Sequence, residues 1–309
     1  MIVWHGLERC PPGTQAALAL GNFDGVHLGH QAVLQQVQAS ARAGQARAVL
    51  VTFEPHPAEV LAPERRPRLL QTRRQKLAAL EEAGVDAVLV LPFDLALAAL
   101  SAEEFLERLC TALIPRSIHV GTGFRFGRER QGDVALLRAI GARHGFAVEE
   151  VPPLEVDGAR VSSSRIREAV LAGRVEVARG LLGRPYALEG RVVRGEGRGA
   201  MLAFPTANLA VENELPPLRG VYVTETVALA LRWHSVTNVG VRPTFDGSRL
   251  TVESHLIDYE GHLYGERVEA CFLARLRDER RFPDATALAD QIARDRAAAV
   301  AWFQSLASA

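Results

Sequence analysis

The chain changes rhythm near Gly183, and that change limits the folds open to it. Before it, short apolar runs alternate with stretches of helical spacing. Ala16–Leu20 stops at Gly21, and His30–Gly44 then carries Val33, Leu34 and Val37 on one helical face. Ala48–Phe53, Ala87–Leu91, Ser117–Val120 and Ala147–Val151 repeat the strand signal. Helices fall between them: Thr72–Gly84, one opened by a capping box of Ser101 and Glu104, and one from Asp133 to Gly145. Runs that are apolar throughout, rather than alternating, belong to strands buried on both faces. The spacing therefore predicts a parallel sheet with helices on each side. Such sheets bind ligands beyond the carboxyl ends of their strands.

After Gly183 the pattern is strands and turns. Ala187–Val193, Val221–Val227, Leu231–Val239, Val252–Ile257 and Val268–Leu276 are separated by Gly and Pro, with Pro216-Pro217 and Asp246-Gly247 as turn signals. This half reads as a small antiparallel barrel followed by a terminal helix over Ala285–Leu306. Two domains are expected, 1–182 and 183–309, joined within Leu181–Pro185; the 309 residues suit two domains of ordinary size.

Apolar residues make up 48% and charged residues 23%, which disfavours disorder and coiled coil. Thirty-six Lys+Arg balance thirty-six Asp+Glu, so no basic excess calls for nucleic acid or an anionic membrane. Lys76 is the one lysine among those cations, which with the abundant alanine reads as a GC-rich genome rather than as function. Cys10, Cys110 and Cys271 lie far apart, forming neither a metal pattern nor a disulfide framework. With no signal-peptide pattern at the N-terminus and no apolar run of membrane-spanning length, a cytoplasmic protein is expected.

Gly21-Asn22-Phe23-Asp24-Gly25-Val26-His27-Leu28-Gly29-His30 follows the first strand and opens the first helix. A helix N-terminus offers unpaired N–H groups and partial positive charge to a phosphate. His27 and His30, three apart, share one face there. Alone they are as readily ordinary turn residues; the strand–Gly–HxGH–helix context favours phosphate. Ser162, Ser163, Ser164 and Arg165 at a later helix start offer hydroxyls and a guanidinium to polyphosphate, or plain capping. Glu54 and His56 sit on a proline-framed loop and either position substrate or are solvated. Arg128 and Arg130 read as a solvated face. In the second half, Gly195, Gly197 and Gly199 precede Phe204-Pro205-Thr206-Ala207-Asn208. A glycine-rich turn can wrap phosphates, and the Thr206 hydroxyl and Asn208 carboxamide can ligate Mg²⁺. Glu253, in a strand-like stretch, reads by itself as a solvated residue on the outer face, with His255 beside it.

The HxGH turn resembles the signature of the nucleotidylyltransferase superfamily. The longer string GNFDGVHLGHQ resembles the adenylyltransferase half of the bacterial bifunctional riboflavin kinase/FMN adenylyltransferase family. Thr52–Pro57, Phe124–Asp133 and Ser162–Arg167 match it in order. Gly195–Gly199 with Pro205–Asn208 resembles that family's riboflavin kinase motif, and Gly220–Tyr222, Asn238–Thr244, Val252–Asp258 and Leu276–Phe282 follow in order. The resemblance implies a Rossmann-like α/β nucleotidylyltransferase domain, then an antiparallel β-barrel riboflavin kinase domain with a C-terminal helix. It implies ATP, Mg²⁺ and flavins as the small molecules handled: riboflavin is phosphorylated to FMN, and FMN is adenylylated to FAD.

By the same resemblance His27 and His30 act in adenylyl transfer and Glu253 is the base for the kinase. Gly21, Asn22, Phe23, Asp24 and Ser162–Arg165 hold ATP in the first domain, and Glu54 and Phe124 hold FMN. Gly195, Gly197, Gly199 and Pro205 hold phosphate in the second, Arg242 and Arg277 hold flavin, and Thr206 and Asn208 hold the metal. Three positions depart from the pattern: Gly123 where Asp or Asn is usual, Ala200 for Arg and Ala203 for Gly. Gly123 leaves open a kinase with a weakened adenylyltransferase domain; a non-catalytic flavin or nucleotide sensor is the other alternative. The expected partners are small molecules, with no nucleic acid, no membrane and at most a weak homo-oligomer.

Overall fold

The computed structural model describes residues 1–194, 206–244 and 247–307, with side chains left aside over 242–249 and at 307. By internal contacts the chain forms two compact units. The first comprises Met1–Arg68 and Arg73–Ser162, the second Leu69–Thr72 and Ser163–Ala309.

The first unit is built on β1 (Ile2–His5), β2 (Gln15–Leu20), β3 (Arg47–Glu54), β4 (Ala87–Pro92), β5 (Ile114–Gly121) and β6 (Ala147–Val151). They form a 6-stranded sheet in the order β1-β4-β3-β2-β5-β6. Every neighbouring pair is parallel. Helices α1 (Leu28–Ala43), α2 (Pro57–Leu61), α3 (Arg73–Glu82), α4 (Leu95–Ala98), α5 (Ala102–Ala112) and α6 (Val134–His144) connect them. A small antiparallel ribbon of β7 (Glu155–Val156) and β8 (Ala159–Arg160) follows.

Burial explains the continuous apolar runs. Ala17, Ala19, Leu50, Val88 and Val90 face one core with Val33, Leu34 and Val37 of α1 and Leu80 of α3. Their neighbours Leu18, Leu20, Val49, Val51 and Leu89 face a second core with Leu106 and Leu109 of α5 and Leu137 of α6. Alternate residues enter opposite cores, so no position on a central strand can be polar at low cost. The expected sheet strands are all present. β1 was not anticipated: four residues long and with Ile2 exposed at the sheet edge, it has only Trp4 fully committed to a core.

The second unit opens with α7 (Ser163–Leu171) and α8 (Val175–Leu182). The barrel strands are β9 (Tyr186–Val193), β10 (Ala207–Val211), β11 (Gly220–Ala228), β12 (Leu231–Thr244), β13 (Gly247–Leu256) and β14 (Arg267–Arg277), and α9 (Ala285–Ala307) ends the chain. The strands close in the order β10-β13-β12-β11-β14-β9, each pair antiparallel. The barrel and terminal helix match expectation. Two details differ. β10 was absorbed in the PTAN string, where it is too short to show alternation. β12 runs on through Gly240 and Pro243, paired with β13 as far as Thr244 opposite Gly247.

The barrel interior holds polar groups that periodicity did not foretell. Thr224, Thr226, Ser235, Thr237 and Ser254 are all fully buried. Their hydroxyls form a ring: Thr224 to Ser235 at 2.8 Å, Ser235 to Thr226 at 2.8 Å, Thr226 to Ser254 at 2.7 Å, Ser254 to Thr237 at 3.0 Å, and Thr237 to Thr224 at 2.7 Å. Each hydroxyl can donate once and accept once around the ring, which satisfies it without water.

Candidate functional site

Strand order reverses around β2. The chain passes from β2 to β3 on one side and reaches β5 on the other, so the carboxyl ends of β2 and β5 flank a switch point where such sheets bind ligands. The segment leaving β2 is the Gly21–His27 turn. Its backbone is unusual: Phe23 and Val26 have φ of 50° and 41°, and Gly25 has 91°. Positive φ in a bulky or β-branched residue costs on the order of 1–3 kcal/mol and persists where packing over-determines it. Here both side chains are locked in the core on the α1 side of the sheet.

His27 is the N-cap of α1, and its Nδ1 accepts the backbone N–H of His30 at 3.2 Å. In the neutral ring the proton therefore sits on Nε2, as a donor. The His27 and His30 rings stack with centroids 3.6 Å apart and planes 13° from parallel, and Phe23 stacks on His30 at 4.5 Å. Gly29 makes room for this. A Cβ there would stand 3.2 Å from the His27 ring. The structure thus brings the two histidines of the sequence motif together at a helix N-terminus.

Around the turn, the Asn22 amide meets His56 Nε2 at 3.1 Å, while His56 Nδ1 accepts the Ala58 N–H and caps α2. Glu54, at the end of β3, is paired with Arg73 of α3 at 3.2 Å on the surface. Lys76, also on α3, reaches Asn22 O and Thr52 Oγ1. Beyond β3 and β5 a run of phenylalanines links Phe53 to Phe93 and Phe105, Phe105 to Phe126, and Phe126 to the half-buried Phe124, with centroids 5.6–6.3 Å apart. Gly123, just before Phe124, has φ of 78°, and a Cβ built there touches nothing. Ser162 is the last residue of the first unit, and Ser163, Ser164 and Arg165 form the first turn of α7 in the second.

On the barrel, Asn208 of β10 stands opposite Glu253 of β13, and Glu253 opposite Asn238 of β12. Their neighbours Ala207, Ser254 and Thr237 are buried inside, so these three residues share the outer face, as expected of Glu253 and His255. The Asn208 amide nitrogen donates to Thr206 O at 3.5 Å. The Glu279 carboxylate lies where a Cβ at Gly240, next along the same face from Asn238, would stand. Arg277 is already engaged: Nε and Nη2 donate to Asp295 of α9 at 2.9 and 2.6 Å, and Nη1 to Asp278 O at 2.9 Å. Gly195, Gly197, Gly199 and Pro205 lie outside the described residues, as do Ala200, Ala203 and the side chain of Arg242. Among the described residues no three His, Cys, Asp or Glu side chains gather as a metal cluster. No helix among them is long and apolar enough to cross a membrane.

Two family models match the chain in succession: FAD synthetase over residues 11–165 and riboflavin kinase over 182–303. The bifunctional riboflavin kinase/FMN adenylyltransferase of Escherichia coli K12 is 38% identical over 301 residues, 97% of this chain and 96% of that protein. The chain belongs to this family. The Pseudomonas fluorescens member is 41% identical over 298 residues, 96% of each chain. A crystal structure described as a macrolide-efflux protein from Streptococcus pneumoniae shares the fold at a TM-score of 0.88, with 30% identity and coverage of 96% of this chain and 98% of that one.

The HxGH turn thus lies at the switch point of the parallel sheet. Lys76, the single lysine of an arginine-rich chain, is tied into this turn by contacts that no local sequence pattern announces.

Proposed function

We propose that the chain makes FAD from riboflavin in two ATP-dependent steps, with 1–182 as adenylyltransferase and 183–309 as kinase. The observation that carries the first is the stacked His27–His30 pair at the start of α1, beside the switch point of the parallel sheet. A phosphate oxygen of FMN attacks the α-phosphorus of ATP, a new P–O bond forms, and the bond to pyrophosphate breaks. No covalent intermediate with the protein is needed. The ring donors of His27 and His30 and the helix N–H groups stabilise charge on the pentavalent phosphorus. Gly21–Asp24 supply polar contacts for polyphosphate. Phe124, in the phenylalanine run, gives an apolar face for a flavin ring, and Glu54 marks the edge of that run.

In the barrel, the riboflavin 5′-hydroxyl attacks the γ-phosphorus of ATP, ADP leaves, and Glu253 accepts the hydroxyl proton. The outer-face row of Asn208, Glu253 and Asn238, with Thr206 beside it, presents hard oxygen donors of the kind Mg²⁺ prefers. Thr206 and Asn208 would hold the ion, which supplies charge neutralisation to the phosphates. Arg242 and Arg277 stand in the strands that would border the flavin. For Arg277 the ion pair to Asp295 suits a residue fixing the strand end as much as one contacting substrate.

Both halves match family models, which favours two activities over a lone kinase or a sensor. Small-molecule substrates suit a chain of zero formal charge, and no step needs nucleic acid, a membrane or more than a weak homo-oligomer. A cytoplasmic setting is supported by three unpaired cysteines. Burial pushes Cys110 up to about 11 and Cys271 to about 12, so neither is a reactive thiolate. Incubation with riboflavin and ATP·Mg²⁺, followed by separation of the flavins, tests the reading. FAD is expected; accumulation of FMN alone would reduce it to the kinase, and unchanged riboflavin would overturn it.

A further inference from the structure

Lys76 takes no part in the steps above, yet it is tied into the turn that carries them. Its Nζ donates to Asn22 O at 2.6 Å and to Thr52 Oγ1 at 2.8 Å, and the Thr52 hydroxyl donates to the same carbonyl at 3.3 Å. The ammonium therefore joins α3, the end of β3 and the turn after β2. Both acceptors are uncharged. The side chain as a whole is half-buried, and its ammonium has given up much of its hydration among these elements. A cation held against neutral oxygens is costly until an anion arrives to compensate it.

The charged groups around it are Asp24 in the turn and Glu54 at the end of β3, and Glu54 is shared with Arg73 of α3. Loss of hydration outweighs their attraction and lowers the Lys76 amine to about 8. The chain otherwise uses arginine for every basic side chain. An ammonium differs in being compact, with three donors on one atom, and in being able to lose its proton near neutral pH.

Resting on the adenylyltransferase reading, we propose that Lys76 is a positioning residue for that reaction. It pins the Asn22 carbonyl to β3, fixes the turn that opens α1, and holds a positive charge behind that turn for the polyphosphate of ATP. The charge is present below about pH 8 and is lost above it.

The test uses the full chain with FMN and ATP·Mg²⁺, following FAD from pH 7.5 to 9. Ordinary histidines titrate near 6.5, below this window. The wild type is expected to lose kcat/KM for ATP above about pH 8, approaching tenfold per unit, while riboflavin phosphorylation by the same sample lacks this limb. Lys76→Met is expected to lose roughly ten- to hundredfold in kcat/KM for ATP at pH 7.5, the range for deleting a charged hydrogen-bond donor, and to show no alkaline limb. A flat wild-type profile overturns the proposal without any variant having to fold. So does a Lys76→Met protein that keeps the limb. A wild type that makes no FAD from FMN at any pH refutes instead the adenylyltransferase reading beneath it.

Discussion

His27 does two things at one position. Its Nδ1 caps α1, and its other ring nitrogen is the donor proposed for adenylyl transfer. His30 stacks on it. Both His27→Ala and His30→Ala should lower FAD formation by about 10²–10³, the usual loss for one charge-stabilising donor, with FMN formation intact. Only His27→Ala should also lower stability, by about 1 kcal/mol for the lost cap, seen in thermal unfolding. Wild-type FAD rates in both would remove the histidines from the reaction. Gly123→Asn tests the departure after β5. The space is open and asparagine tolerates the positive φ there, so the variant should fold and improve kcat/KM for FMN; an unchanged value would mean that the position does not face flavin. The HxGH pair was legible because its spacing, cap and helix start are local. Lys76 was not, because its partners lie 54 and 24 residues away and a lone lysine carries no pattern.

At the scale of elements, the parallel strands were legible because each is apolar on both faces, and the two separate cores account for that. β1 and β10 were not, since strands of four and five residues give too few alternations to stand out. The hydroxyl ring was equally hidden, because Thr and Ser in an alternating strand read as outward residues. Thr226→Val should destabilise the barrel by about 1–3 kcal/mol, since Ser235 and Ser254 each lose a buried partner. Denaturant unfolding with an unchanged midpoint would show the ring to be dispensable. Gly29→Ala tests the first site through its backbone. A methyl 3.2 Å from the His27 ring should tilt the histidine stack and slow FAD formation, while leaving the kinase untouched.

Across the whole molecule, two compact units each carry one half of a family pattern that spans nearly all the chain. The change of rhythm at Gly183 was visible in the sequence. The allegiance of α7 and α8 was not, because nothing in two amphipathic helices says which core they join; α8 packs on β9 and β14. If the two chemistries live in separate halves, they must separate by mutation. Wild type, His30→Ala and Glu253→Gln should be incubated with ATP·Mg²⁺ and either riboflavin or FMN, and the flavins separated over time. This division of labour predicts FAD from both substrates in the wild type, arrest at FMN in His30→Ala, and in Glu253→Gln FAD from FMN with riboflavin left unchanged. A Glu253→Gln protein that phosphorylates riboflavin within about threefold of wild type, or a His30→Ala protein that still completes FAD at the wild-type rate, would contradict it.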